Sequence, residues 1–465
     1  MTRPVRPIRA RMLLAVWAGK LTGALLRLAG RAGTHVPGKV ALAVYPGLMS
    51  AIPLPPRVVV VTGTNGKTTT TNILADALHN LGVRVGSNRA GSNLREGIIA
   101  TLMDGLTVLG RSTIDTAILE MDERSARLVL PGLRPDVLVC TNLTRDSIKR
   151  NAHPEYIAWI VSSALSDDTT LVLNADDLIT ARLGTDANRR VFFGVDALGD
   201  ESRTPHGVAI DVSICPICDH TLVWDVWRFN HIGKVTCPSC GFRSPQADVR
   251  ALSVDIASGT MDLAMGDTTT TLPLVNDNIV NIYNEVAVAA ALTVLGVAVE
   301  DIAAQLASLK PPVTRFADET ISGVRILRLL TKGLVGVACS RAFEHIPTIP
   351  GRKVVLMAID EASERVTEVE NTAWIYDADY EYLADPTIAQ IFVGGIRRHD
   401  HALRLAIAGV DPIKIVLVES ETDAADLVSL DNVDAVFNLH SVHNALISGN
   451  PVQDRLRERL LEKVR

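Results

Sequence analysis

The segment Val58–Leu78, VVVVTGTNGKTTTTNILADAL, constrains this chain more than any other. Four consecutive valines make a short apolar run that reads as a buried strand. Gly63-Thr64-Asn65-Gly66 then supply a glycine turn, followed by Lys67 and Thr68. Beyond Thr68 the period changes, and Ile73, Leu74, Ala77, Leu78 and Leu81 fall on one helical face. Strand, glycine loop, lysine, hydroxyl and helix together build a nucleotide phosphate site. Loop amides and the helix N-terminus face the phosphates, Lys67 neutralises them, and the Thr68 hydroxyl reaches a magnesium ion. The general phosphate loop places four residues between its first glycine and Gly-Lys; here only Thr64 and Asn65 intervene. A glycine turn in an ordinary αβ unit is the competing reading. The strand and helix on either side of Gly-Lys-Thr favour phosphate binding.

A chain of 465 residues has room for two or three domains. Hydrophobic residues at 47% and charged residues at 21% describe a globular, soluble composition, and a net charge of -6 argues against a nucleic-acid binder. The charge is unevenly distributed. No Asp or Glu occurs from Met1 to Ala75, a stretch holding ten Lys or Arg. Within it, Leu14, Trp17, Leu21, Leu25 and Leu28 share one helical face. Lys20, Arg27 and Arg31 break the apolar run, so it suits neither a signal peptide nor a bilayer span. Two compatible readings remain: a basic amphipathic helix on an anionic membrane surface, or a helix packed on the nucleotide domain.

Downstream, Val83–Val85, Thr116–Leu119, Asp136–Leu143 and the start of Leu171–Asp177 read as strands alternating with helices, which predicts a parallel sheet with ligands at its carboxyl ends. Glu120, Asp122 and Glu123 follow one of these strands and suit magnesium binding or water positioning; a solvated acidic turn is the alternative. Cys215-Pro-Ile-Cys218 and Cys237-Pro-Ser-Cys240 are two CxxC knuckles separated by eighteen residues. Four thiolates at this spacing predict a closed, structural zinc ribbon. His231 lies between them and reads as a packing or turn residue. Cys140 and Cys339 read as core cysteines. Past Lys310-Pro311-Pro312, apolar runs at Val324–Leu330, Lys353–Ile359, Ala389–Val393 and Lys414–Val418 alternate with helical stretches, predicting a smaller α/β domain.

Several of these stretches resemble the Mur ligases, which join amines to carboxylates in peptidoglycan synthesis. Gly63-Thr64-Asn65-Gly66-Lys67-Thr68-Thr69 is similar to their ATP loop. Glu120 with Asp122-Glu123, Thr141-Asn142-Leu143, Leu173-Asn174-Ala175-Asp176-Asp177 and Asn281-Ile282-Tyr283-Asn284 follow in order and spacing. The cysteine insertion, with Phe229-Asn230-His231-Ile232-Gly233 inside it, resembles the MurT family within that group. So do Trp374-Ile375-Tyr376-Asp377-Ala378-Asp379-Tyr380, Gly394-Gly395-Ile396-Arg397-Arg398 and His401–Gly409 in the C-terminal part.

The resemblance implies an ATP-, Mg2+- and Zn2+-dependent carbon–nitrogen ligase working with a GatD-type class I glutaminase. It would amidate the D-glutamate α-carboxylate of the lipid II stem peptide through an acyl phosphate. The expected location is cytoplasmic, and the basic N-terminal helix leaves open a peripheral contact with the inner face of the cytoplasmic membrane. The implied ATP-binding residues are Gly63, Thr64, Asn65, Gly66, Lys67, Thr68, Thr69, Asn281, Asn284 and Arg315. Thr68 and Glu120 would hold magnesium; Lys67 and Glu120 are the implied catalytic residues of this domain. The family also places an aspartate before the Trp-Ile-aromatic-Asp motif to orient the partner's histidine. Alignment through Trp374 puts Asn371 there, with Glu370 and Asp377 nearby. Lys332-Gly333-Leu334 and Leu439-His440-Ser441-Val442-His443 also depart from the family pattern. These departures leave open a paralogue that amidates another carboxylate or uses free ammonia, or a non-catalytic subunit.

The expected architecture is a basic amphipathic segment over 1–54 and a Mur-ligase-like parallel-sheet ATPase domain over 55–312, with a zinc ribbon inserted at about 212–245. A C-terminal α/β domain over 313–465 completes it.

Overall fold

The computed structural model describes residues 6, 9–31, 34–89, 92–146, 153–199, 201–275, 278–309, 316–331, 335–359, 372–441 and 451–462. The chain divides into two compact units. The first comprises Met1–Thr144, His153–Pro205 and Asp211–Pro311; the second comprises Arg145–Ala152, His206–Ile210 and Pro312–Arg465.

The first unit is built on β1 (Arg57–Thr62), β2 (Val85–Ser87), β3 (Thr116–Glu120), β4 (Val137–Cys140), β5 (Thr170–Asn174) and β6 (Arg190–Val195). The strands β7 (Val223–Phe229) and β8 (Ile232–Thr236) form a separate antiparallel hairpin, and β9 (Val249–Asp255), β10 (Thr260–Met265) and β11 (Thr268–Pro273) complete the chain of strands. The main sheet runs β11-β10-β9-β6-β5-β4-β1-β3-β2. From β9 to β2 every pairing is parallel, whereas β10 and β11 extend the edge antiparallel.

The valine run supplies the centre. Val58, Val59, Val60 and Val61 are completely buried, each contributing about 1.5–3 kcal/mol by leaving water. With helices on both sides, β1 has no solvent face, so apolar residues occupy consecutive positions rather than alternate ones. Because β3 and β4 flank β1, the loops leaving all three strands gather at one end of the sheet. The Lys67–Asn80 helix follows β1 and buries Leu74, Ala77 and Leu78.

Two strands of this unit depart clearly from the sequence reading. The expected strand at Val83–Val85 begins two residues later, because the turn at Leu81-Gly82 continues to Val83, whose amide bonds back to Leu78. The apolar run Asp136–Leu143 is extended only to Cys140; Thr141, Asn142 and Leu143 leave the ladder to hold neighbouring loops.

In the second unit, β12 (Phe316–Ile321), β13 (Val324–Thr331), β14 (Lys353–Ala358), β15 (Ile388–Val393), β16 (Ile415–Leu417) and β17 (Ala435–Ser441) form a six-stranded sheet ordered β12-β13-β17-β14-β15-β16. Only the β12–β13 hairpin at its edge is antiparallel. The β14 burial pattern is continuous, as expected for a central parallel strand. No helix among the described residues is long and apolar enough to cross a membrane.

Candidate functional site

The phosphate-loop candidate begins where β1 ends. Gly63 and Gly66 adopt φ of 128° and 84°, the left-handed half of conformational space that favours glycine. Each is also closely approached. A Cβ on Gly63 would lie 2.2 Å from Thr141 Oγ1, and one on Gly66 would lie 2.0 Å from Asn284 Oδ1. Gly66 is the N-cap of the Lys67–Asn80 helix and no side chain caps that terminus. The positive end of the helix dipole is therefore left facing the loop, the arrangement that attracts an anion.

The 141–144 loop fixes this turn from the β4 side. Thr64 donates its amide to Asn142 O at 2.7 Å, and Asn65 donates its amide to Asn142 Oδ1 at 3.1 Å. In return, Thr141 Oγ1 and Asn142 Nδ2 donate to Asn65 O at 2.6 and 3.0 Å. The Thr64 hydroxyl donates to Thr144 O and accepts the Thr144 amide, at 3.1 and 3.0 Å. The sequence motif Thr141-Asn142-Leu143 thus acts as a clamp on the glycine turn.

Lys67 folds back over the turn. Its Nζ donates to Gly63 O, to Thr64 O at 3.2 Å and to Glu123 Oε1 at 2.8 Å. Glu123 is buried, and burial pushes its carboxyl above the ordinary range in spite of Lys67. Glu123, read from the sequence with Glu120 and Asp122 as one of the acids after this strand, is brought to the lysine by a short 3-10 turn over Glu123–Ser125. Glu120 is buried as well and accepts from Asn93 Nδ2 at 3.0 Å, while its backbone is held on both sides by the Asn88 side chain. Thr68 is exposed and Thr69 half-buried on the first helical turn.

Of the two remaining nucleotide candidates in this unit, Asn284 is buried on the Ile279–Val294 helix with its Oδ1 aimed at Gly66, and Asn281 lies half-buried one turn earlier. Among the described residues, the Asn284 Oδ1 has no hydrogen-bond partner. The uncapped helix terminus and the lysine beside this glycine turn fit a nucleotide phosphate group, while the unsatisfied Asn284 Oδ1 is an acceptor that fits a donor on the rest of a nucleotide, such as a hydroxyl or amine. Arg315 and Asn371 lie outside the described residues, as do Glu370, Lys332-Gly333-Leu334 and Val442-His443.

The four predicted metal ligands come together. Sγ atoms of Cys215, Cys218, Cys237 and Cys240 all lie within 4.8 Å of one another. The Cys215–Cys240 and Cys218–Cys237 separations are both 3.6 Å. Zinc–sulfur bonds of about 2.3 Å require tetrahedral edges of about 3.8 Å, so this thiol set fits zinc. Gly241, at φ 74°, turns the chain directly after the second knuckle, and its amide bonds Cys237 O.

The hairpin carrying this cluster is tied to the sheet by residues that sequence reasoning missed. Asp176 is buried and accepts from Arg228, Lys234 and Tyr283 at 3.0, 3.0 and 2.6 Å. Burial, then Asp176, raises the Tyr283 hydroxyl well above its ordinary range. His231 sits in the turn between β7 and β8, in keeping with the sequence reading, and it also carries an ion pair. It is fully buried with Nε2 3.2 Å from Asp177 Oδ1 and Nδ1 3.6 Å from Asp211 Oδ2. Burial alone would depress the imidazole, but Asp177 and then Asp211 outweigh it and raise it to about 9. The residue types in Ala175-Asp176-Asp177 were visible in the sequence; their cationic partners on the hairpin were not.

In the second unit, Arg145 Nη1 donates to Asp377 Oδ1 at 2.6 Å. Asp377, one of the acids close to the Trp374 motif, is therefore engaged by a cation. Tyr380 OH lies 2.6 Å from His401 Nδ1 in the core of this unit.

Two family descriptions match the chain: the Mur ligase middle domain over residues 61–212 and the MurT ligase C-terminal region over residues 335–441. Over 426 residues the chain is 28% identical to the MurT subunit of a glutamine-hydrolysing lipid II isoglutaminyl synthase from Staphylococcus aureus (strain COL), covering 90% of this chain and 93% of that protein. The chain belongs to the Mur ligase family, in its MurT branch. The corresponding subunit from Streptococcus pneumoniae is 26% identical over 424 residues, with 90% and 92% covered. The solved structure of a pseudomurein peptide ligase type C from Methanothermus fervidus superposes with a TM-score of 0.63 at 20% identity, over 88% of this chain and 79% of that one. That likeness speaks to the fold alone. This is the Mur-ligase α/β fold with parallel sheets, a four-cysteine insert and a C-terminal α/β domain. Membership of the family implies ATP as co-substrate.

Proposed function

We propose that this MurT-type chain is the amidating subunit of a glutamine-dependent synthase acting on the D-glutamate α-carboxylate of lipid II. The observation that carries the reading is the length of the likeness: it runs through both the Mur ligase middle region and the MurT C-terminal region, and covers nine-tenths of the S. aureus subunit.

The chemistry follows from what the site offers. A carboxylate is a poor electrophile because its leaving group would be oxide. Bound ATP would supply a phosphoryl group that converts one carboxylate oxygen into a phosphate leaving group, with release of ADP. Ammonia then attacks the carbonyl carbon, the carbon–oxygen bond to phosphate breaks, and the amide remains.

In this scheme the loop from Gly63 to Thr69, with Lys67, neutralises the phosphates, and Asn281, Asn284 and Arg315 flank the nucleotide. Thr68 and Glu120 hold the magnesium ion. Glu123 keeps Lys67 drawn over the loop before nucleotide arrives. The four cysteines hold zinc as a structural ion, which leaves no coordination position for catalysis. Ammonia comes from a GatD-type class I glutaminase, whose catalytic histidine is oriented from position 371.

Asn371 favours a second reading. An asparagine can orient a histidine but supplies no full negative charge to stabilise imidazolium. A chain that works with free ammonia would tolerate it. The two are separated by assaying ATP-dependent amidation of lipid II with the glutaminase present, using glutamine or ammonium as the nitrogen source. Glutamine-supported amidation that requires both subunits is expected. Amidation that ammonium supports but glutamine never does would shift the assignment to the second reading, and absence of ATP binding would remove both.

A further inference from the structure

The Ala10–Leu28 helix has two apolar faces, and only one is used by the fold. Met12, Ala15, Val16, Gly19 and Gly23 are buried against the Val36–Val44 and Arg95–Asp104 helices. Small residues make this possible: a Cβ on Gly19 would lie 2.6 Å from the Met103 side chain and 3.0 Å from Pro37 O. The opposite face carries Leu14, Trp17, Leu21, Leu25 and Leu28, with exposures of 54, 46, 63, 57 and 87%. This row is spaced three or four residues apart along nearly the whole helix, so it forms one continuous stripe.

The stripe is extended by a turn from elsewhere in the chain. The Trp17 indole N–H donates to Val108 O at 2.8 Å, which fixes the turn carrying Val108 and Leu109, exposed by 66 and 63%. Contiguous exposed apolar surface of this kind costs free energy in water and marks a face that is covered in use. Charge selects the cover. Arg11 and Arg27 are exposed on either flank of the stripe, with Lys20 half-buried and Arg31 exposed beyond its end. No Asp or Glu occurs in the chain before Asp76. Asp104 and Arg111, both exposed on either side of the Val108–Leu109 turn, offset each other. A second copy packed about a two-fold axis would oppose these cation rows to themselves.

We infer that this face is a docking surface for an anionic lipid bilayer. The Ala10–Leu28 helix lies in the plane of the headgroups, its leucines and Trp17 reach into the acyl boundary, and its arginines pair with lipid phosphates. The helix remains packed on the first unit throughout, so docking requires no unfolding. The inference stands on this surface and is independent of the ligase assignment.

The test uses the full chain and vesicles of phosphatidylcholine with or without phosphatidylglycerol. The protein is expected to co-sediment with the anionic vesicles, weakly with the neutral ones, and less as salt rises. Leu21→Asp with Leu25→Asp alters only exposed side chains. It is expected to lower partition about tenfold or more while leaving the thermal transition in place. Arg11→Glu with Arg27→Glu is expected to abolish the preference for anionic lipid. Equal sedimentation with both vesicle types overturns the inference. So does undiminished binding by the leucine variant, or a dimer in sedimentation analysis that the leucine variant breaks while vesicles bind neither form.

Discussion

The Nε2 of His231 lies 3.2 Å from Oδ1 of Asp177, joining the hairpin of the cysteine insert to the carboxyl end of β5. The other oxygen of the same carboxylate accepts the Leu143 amide at 2.7 Å. Leu143 follows Asn142, which holds the backbone of Thr64 and Asn65. The four-cysteine insert is thereby connected to the Gly63–Lys67 turn through buried, directional contacts rather than by chain connectivity alone.

The first prediction concerns pH. The folded His231 titrates at about 9 against an unfolded value of 6.5. The folded state keeps a proton that the unfolded state has lost, so the pair's contribution is fully present below pH 6.5 and disappears as pH rises through 9. The linkage amounts to roughly 3 kcal/mol at most. Denaturant unfolding of the zinc-loaded protein should show stability falling over this window, and His231→Gln should be less stable at pH 6 with that slope reduced. An unchanged slope would mean that His231 is not charged in the fold.

Replacing Cys215 by Ser should release the metal and destabilise the first unit, since a three-thiolate set binds zinc less tightly and metal binding is coupled to folding. Through Asp177 and the 141–144 loop, the KM for ATP should rise more than kcat falls. Full metal content by mass spectrometry together with unaltered stability would contradict the structural-zinc reading.

Lys67→Ala should abolish ATP turnover. It also leaves Glu123 buried without its cation, at a cost of roughly 1–3 kcal/mol. Glu123 has a raised carboxyl in the fold, so its unfavourable contribution is absent below pH 4.5 and grows as pH rises through the folded value. The double variant Lys67→Ala, Glu123→Gln should therefore recover most of the lost stability at pH 7 but no activity. Recovered turnover would remove Lys67 from the phosphate site.

Gly66→Ala should weaken ATP binding about tenfold or more, because a left-handed alanine costs about 1–2 kcal/mol and its Cβ displaces Asn284. Isothermal titration measures this directly. Gly82→Ala is the control: Gly82 is also at positive φ, but open space surrounds it, so it should lose stability alone.

The local pattern of β1, the glycine turn and its helix was legible because strand period, turn chemistry and helix period follow one another within twenty-one residues. The cysteine cluster was legible because metal geometry demands that spacing. What sequence did not disclose was pairing across distance. That Lys67 meets Glu123 depends on a single 3-10 turn after β3. Partners of Asp176 lie fifty-two to 107 residues away. The β10–β11 edge hairpin was missed because Thr268–Thr271 carries no apolar alternation and turns at Gly266, whose φ is 58°. On the Ala10–Leu28 helix the large apolar residues suggested the packing face, yet the fold uses the small ones, because close helix approach needs Ala and Gly.

The most direct measurement follows the fate of a carboxylate oxygen. Lipid II labelled with heavy oxygen in the D-glutamate α-carboxylate should, on amidation by the complete synthase, pass one labelled oxygen to the inorganic phosphate released. Activation as an acyl phosphate predicts that transfer in every turnover. ATP hydrolysis and amidation without label in the phosphate would contradict it.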